Sequence, residues 1–289
     1  MYPLGTSPTP EVDPNYMFKY LHTEQQFPDN YIEEWFLEGM RVNYHLQVLP
    51  LTDVLRESLA LSQQISTVVL YITVFMLTGS STIQLQTVYW ADIFLLLLCY
   101  VSCVPLKISP QKFCGWRVVI LFGSFWGLVP VISTITTGYD PNTIYTISGF
   151  LFVIHLTSFD YGYINNYVNE IKGVVAYNAV MVAAVTLSSV LPERAMIFPL
   201  ISFAIILFVF NPIFRHYLHK RSNIVYILYN AFMFFVTLCF VTLYSKRMAL
   251  VYLFGILFAT FLMPKLWNKL QGFKTEVSGA WDEAVPASD

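Results

Sequence analysis

Residues 223–244 read NIVYILYNAFMFFVTLCFVTLY, twenty-two positions with no acidic, basic or histidine side chain. An α-helix rises 1.5 Å per residue, so about 20 apolar residues cross the ~30 Å hydrocarbon core of a bilayer. This run therefore predicts a membrane-spanning helix. Seven more hydrophobic runs accompany it, at 58–78, 87–106, 117–136, 142–159, 173–191, 195–213 and 247–264. Backbone N–H and C=O groups inside lipid must pair within their own segment, which selects helices for such runs. The expected fold is all-α: a polytopic membrane protein of about eight transmembrane helices. It divides into an N-terminal tail (1–57), a transmembrane bundle (58–264) and a C-terminal tail (265–289).

Composition agrees with that frame. Of 289 residues, 56% are hydrophobic and 12% charged, against about 25% charged in an ordinary soluble domain. A net charge of −2 lacks the basic footprint of a nucleic-acid binder. The four cysteines, Cys99, Cys103, Cys114 and Cys239, form no zinc-type spacing with histidine, so no metal and no cofactor is expected. The first fifty residues are polar and hold no short apolar core of the secretory kind, so the first span is expected to act as the targeting signal.

Charge placement predicts the topology. With eight crossings, both tails and the loops after spans two, four and six share one side. That side carries Lys19, Arg41, Arg56, Lys107, Lys112, Arg117, Lys172, Arg215, Lys220, Arg221, Lys265, Lys269 and Lys274, and the other only Arg194, Lys246 and Arg247. Loops rich in Lys and Arg stay in the cytosol, so both termini are expected there. Lys246 and Arg247 fall on the poor side, which keeps open a re-entrant last hairpin.

The N-terminal tail holds a second helix signal. Asn30 is placed as an N-cap with Glu33 in the reciprocal position, a capping-box arrangement. From there Ile32, Trp35, Phe36, Met40 and Val42 share one arc of a helical wheel, with Glu34, Glu38 and Arg41 opposite. Its acidic polar face suits a protein partner better than an anionic leaflet, making Trp35, Phe36 and Met40 docking candidates. A short amphipathic stretch, Leu51 to Leu59, leads into the first span. Inside the bundle, small residues mark close helix contacts: Gly123 and Gly127 on the third span, and Ala176, Ala179, Ala183 and Thr186 on the fifth. Each set serves intrachain packing or a partner subunit. Gly255 and Ala259 repeat the spacing on the eighth, and Pro130, Pro199 and Pro212 are expected to kink or end their helices.

Ionisable groups at membrane depth are costly and rare. Asp92 lies in the second span, His155 in the fourth, and Asp160 at that span's end. His155 and Asp160, five positions apart, do not share a helix face and make a poor acid–base pair. His155 reads as an interhelical hydrogen-bonding group, and Asp160 either as a cap or as a headgroup or partner contact. No P-loop, G-x-G-x-x-G, H-E-x-x-H, G-x-S-x-G or D-x-D motif occurs. No catalytic set can be assembled from these residues.

Three segments carry a family resemblance. Gln26-Phe27-Pro28-Asp29-Asn30-Tyr31, with Phe36-Leu37 after it, is similar to the start of the PIG-C family. Val129-Pro130-Val131-Ile132-Ser133-Thr134-Ile135-Thr136, then Asn142-Thr143-Ile144-Tyr145 and Phe159-Asp160-Tyr161-Gly162, resembles its central signature. Trp281-Asp282-Glu283-Ala284 resembles its tryptophan-acidic tail. Val129 and Asn142 depart from the family's usual serine and acidic residue at those positions. The resemblance implies a PIG-C-type subunit of the phosphatidylinositol N-acetylglucosaminyltransferase complex. That complex transfers N-acetylglucosamine from UDP-N-acetylglucosamine to phosphatidylinositol, the first step of GPI-anchor assembly at the cytosolic face of the endoplasmic reticulum. In that family sugar transfer belongs to a PIG-A-type subunit, with PIG-H, PIG-P, PIG-Q and PIG-Y types alongside.

The expected role is a non-catalytic scaffold that holds other subunits and helps present phosphatidylinositol. Asp160, Lys172, Arg215 and Lys220 are the headgroup candidates, the cations pairing with phosphate through charge-assisted bonds. Two other classes compete. A lipid or solute transporter, or scramblase, would require paired halves with broken helices. An autonomous intramembrane transferase would use Asp92, His155 and Asp160 as its polar core.

Overall fold

The computed structural model describes residues 41–42, 49–102, 116–170, 172–274 and 277–278. Among them, the larger unit, Val48–Phe273, contains eight long helices: α1 (Leu51–Gly79), α2 (Leu85–Ser102), α3 (Trp116–Ile135), α4 (Pro141–Ser158), α5 (Val174–Ser189), α6 (Arg194–Arg221), α7 (Asn223–Tyr244) and α8 (Lys246–Gln271). Each coincides with one hydrophobic run of the sequence. Four of them, α1, α6, α7 and α8, are long and apolar enough to cross a membrane. The chain is thus an all-helical membrane protein in its described bundle.

Helices α1 and α6 form the buried centre. Tyr71 and Phe75 of α1 meet Phe203 and Phe208 of α6, Phe152 of α4 and Ala183 of α5 in one cluster. A second cluster joins Ile132 of α3 to Ile197, Ile201 and Ile205 of α6. The outer faces of α2, α3, α7 and α8 expose large apolar side chains, as expected where lipid or other protein replaces water. Helix α1 begins at Leu51, so the short amphipathic stretch is the first two turns of the same helix.

The prolines do not end their helices. Pro130 lies inside α3, and Pro199 and Pro212 lie inside α6. Helix α6 contains a π-turn at Ile206–Phe210, followed by Asn211-Pro212, and runs on to Arg221. Helix α8 repeats the device, with a π-turn at Phe258–Leu262 before Met263-Pro264. A proline has no N–H and its ring meets the carbonyl four residues earlier. Those carbonyls, Phe208 and Thr260, lie inside the two wide turns, where a π-type step removes the clash. The Thr260 carbonyl also receives the Ser58 hydroxyl of α1 at 3.2 Å, a typical way to satisfy a backbone group freed by proline in a membrane helix.

The smaller unit comprises Met1–Gln47 and Lys274–Asp289. There Arg41–Val42 pairs antiparallel with Val277–Ser278. The helix expected from Ile32 therefore does not include Arg41 and Val42, whose backbone groups join a strand from the other tail. Trp35, Phe36 and Met40 lie outside the described residues.

Candidate functional site

Several buried polar residues gather around the start of α5 and the loop before it. Helices α4 and α5 make the bundle's most extensive helix pair, because Ala176, Ala179 and Ala183 remove bulk from the contact and are all buried. Facing them, α4 buries Ser148, Phe152 and His155 on one stripe. Ser148 and Thr186 hydroxyls meet at 3.0 Å. Of the two roles open to these alanines, intrachain packing and contact with a partner subunit, the first is the one this α4–α5 contact fits. Gly123 and Gly127 behave oppositely. A Cβ on either would meet nothing within 4 Å, so α3 carries them outward.

The close α4–α5 approach lets His155 Nδ1–H donate to the Ala176 carbonyl at 2.8 Å. Because a carbonyl only accepts, His155 Nε2 is left as the acceptor and takes Gln64 Nε2–H at 2.7 Å. Gln64 Oε1 in turn accepts from Arg215 Nη1 at 3.2 Å, and Arg215 Nη2 donates to the Ala60 carbonyl at 3.1 Å. One chain of hydrogen bonds thus ties α5, α4, α1 and α6 together. Arg215, placed among the headgroup candidates, is 0% exposed. It is a joint of the bundle and not a surface cation. No carboxylate lies within ion-pair distance of it among the described residues, and its Nε has no partner there.

The loop after α4 folds over this joint. Asp160 caps the single-turn helix Tyr161–Ile164: one oxygen accepts from Tyr163 N and the other from Lys172 N, both at 3.2 Å. Helix α6 holds the loop from below, His216 Nδ1 donating to the Tyr163 carbonyl at 2.7 Å and His219 Nδ1 to the Ile164 carbonyl at 2.9 Å. The His216 and Tyr163 rings stack at 4.1 Å. Burial pushes the Tyr161 phenol up to about 12, with the Arg215 charge pulling the other way; its hydroxyl donates to the Leu156 carbonyl at 2.6 Å. Lys172 and Lys220 are exposed around this loop. Of the four headgroup candidates, Asp160 and Lys172 belong to the loop, Lys220 follows His219 on α6, and Arg215 is buried with its hydrogen bonds made to α1. Asp92 lies on another helix, 5% exposed, with neither carboxylate oxygen partnered among the described residues.

Gln64, His216 and His219 were missed in the sequence. The signal was present: Gln63-Gln64 interrupts an apolar span, and Arg215, His216 and His219 share neighbouring turns. Reading 195–213 as ending near Pro212 hid their helical register.

Capping makes a direct prediction. Asp160→Ala is expected to cost about 0.5–2 kcal/mol, the usual range for a lost cap. Asp160→Asn, which keeps an acceptor, should retain most of that stability. Thermal unfolding of the detergent-purified protein distinguishes the two; equal losses would contradict the capping role.

The family model GPI2, phosphatidylinositol N-acetylglucosaminyltransferase, matches residues 18–282. A Dictyostelium discoideum protein, provisionally named as the C-type subunit of that enzyme, is 32% identical, covering 92% of this chain and 78% of its own. The mouse C-type subunit is 28% identical over 97% of this chain and 95% of its own, and the human one is 27% identical over 94% and 93%. No solved structure matches the chain. The single-turn helix capped by Asp160 and the small-residue α4–α5 contact thus lie within a chain-long similarity, and the protein belongs to the phosphatidylinositol N-acetylglucosaminyltransferase GPI2 (PIG-C) family.

Proposed function

We propose that this chain is a non-catalytic scaffold subunit of the complex that transfers N-acetylglucosamine from UDP-N-acetylglucosamine to phosphatidylinositol, the first step of GPI-anchor biosynthesis. The observation that carries the reading is similarity along nearly the whole chain to proteins named as the C-type subunit of that transferase. The scaffold part draws support from the polar residues themselves. His155, Gln64, Arg215 and Asp160 spend their hydrogen bonds on holding helices and a loop, where a general acid or base needs a free atom facing substrate.

In this reading the eight hydrophobic helices all cross the endoplasmic reticulum membrane, with both tails cytosolic. The bias of thirteen basic residues against three supports the orientation. The pairing of Arg41–Val42 with Val277–Ser278 supports an even number of crossings, since the segments lie on either side of the bundle in sequence. Lys172 and Lys220 flank the Asp160 loop at the end that would face the cytosol, where an inositol phosphate would meet them. The PIG-A, PIG-H, PIG-P, PIG-Q and PIG-Y types are the proposed partners. Trp35, Phe36 and Met40 in the tail, and the outward Gly123–Gly127 face, are their proposed docking points.

The test uses microsomes from cells lacking the gene, supplied with labelled UDP-N-acetylglucosamine. N-Acetylglucosaminyl-phosphatidylinositol is expected to fall to background and to return when the gene is restored. Normal formation without the gene would overturn the assignment to the complex. Product made by the purified chain alone would overturn the non-catalytic role.

A further inference from the structure

The outer face of α8 carries a groove of about 720 Å³ whose lining includes Phe254, Gly255, Phe258, Phe261 and Leu262, with Lys265 at one end. The lining comes from one helix, so the concavity arises in how α8 is built. Gly255 forms the floor, since a Cβ there would meet nothing within 4 Å. The π-turn Phe258–Leu262 widens the next turn and spreads the aromatic walls, of which Phe254 is 70% and Phe258 44% exposed. A second apolar crevice, about 290 Å³ and bordered by α1, α7 and α8, continues from the groove at the shared residue Val251.

We propose that this groove is a binding site for one phospholipid, an acyl chain lying along α8 and the phosphate at Lys265. Three features select this occupant. From Val251 to Lys265 the helix rises about 20 Å, enough to accompany an acyl chain through one leaflet of ~15 Å with Lys265 at headgroup level. The walls are apolar, and the one cation of the lining stands just past the hydrophobic run 247–264 of α8, where a lysine stem lies along apolar surface and its ammonium reaches the interface. A partner helix fits less well. Helix pairs in lipid need small residues that let backbones approach, whereas Phe254, Phe258 and Phe261 project from this face around a single glycine. A flexible chain follows such an irregular channel. The site goes beyond the scaffold role and does not depend on it.

The whole complex is reconstituted in phosphatidylcholine vesicles containing a phosphatidylcholine with a photoreactive group in mid-chain, and crosslinked peptides are mapped by mass spectrometry. Adducts are expected to concentrate on Phe254–Leu262. They should fall at least fivefold in Gly255→Trp, which puts bulk on the groove floor where a Cβ meets nothing within 4 Å, and about twofold or more in Lys265→Glu, with subunit recovery unchanged in both. Adducts spread evenly over the exposed faces of α2, α3 and α8 would show ordinary surrounding lipid and overturn the proposal. Loss of a subunit in Gly255→Trp would assign the groove to a partner helix and overturn it equally. Either failure leaves the labelled-sugar assay of the scaffold role unaffected.

Discussion

Arg215→Ala should lower the stability of the bundle by about 3–5 kcal/mol. Removing the buried guanidinium leaves its two neutral oxygen acceptors without that donor, and truncating a long side chain adds a cavity. Gln64 Oε1 loses the guanidinium donor, the Ala60 carbonyl loses a second one, and α1 and α6 lose their polar link. Arg215→Met keeps most of the stem volume, so its cost should be nearer the ~1–3 kcal/mol of an unsatisfied buried acceptor. Combining Arg215→Met with Gln64→Leu should cost less than the two single changes together, because neighbours in one network are not additive. The midpoint of thermal unfolding in detergent reads all four variants. An unchanged midpoint for Arg215→Ala would show that the network does not hold the helices.

The second large effect separates two kinds of small residue. Ala183 is 0% exposed and shares a cluster with Phe152 of α4, so Ala183→Phe should force the α4–α5 contact apart at a cost of about 1–3 kcal/mol or more. The Asp160 loop hangs from those two helices and should loosen with them, seen as faster proteolysis between 159 and 173. Gly127→Phe meets open space and should leave thermal stability within about 0.5 kcal/mol, while reducing recovery of a co-purified partner subunit. If Gly127→Phe instead destabilised the isolated chain, the outward placement of that face would be wrong.

Sequence patterning was most informative where one physical requirement dominates. An apolar run long enough for a bilayer has only a helix available to it, and all eight runs are helices. Local reasoning was less complete at prolines. A rule that knows only the lost N–H and the ring clash leaves Pro212 free to kink or to end its helix, whereas the wide turn before it lets α6 continue, as a second one does before Pro264 in α8. Small-residue spacing was equally ambiguous. Ala176-x-x-Ala179 and Gly123-x-x-x-Gly127 both permit close approach, yet among the described residues only the first meets another helix.

The polar residues divide in the same way. Asp160 as a cap is legible from its place between an apolar run and Tyr161-Gly162, since a short acidic side chain there has backbone N–H groups within reach. Arg215 was legible as a charge but not as a buried one, because its surroundings come from Ala60 and Gln64, some 150 positions earlier in the chain. Sequence by itself determined the helices, the charge asymmetry and the family, all properties of local composition and order. Only the tertiary structure decided which polar groups meet, because a hydrogen bond between α1 and α6 depends on how helices far apart in sequence come to lie side by side.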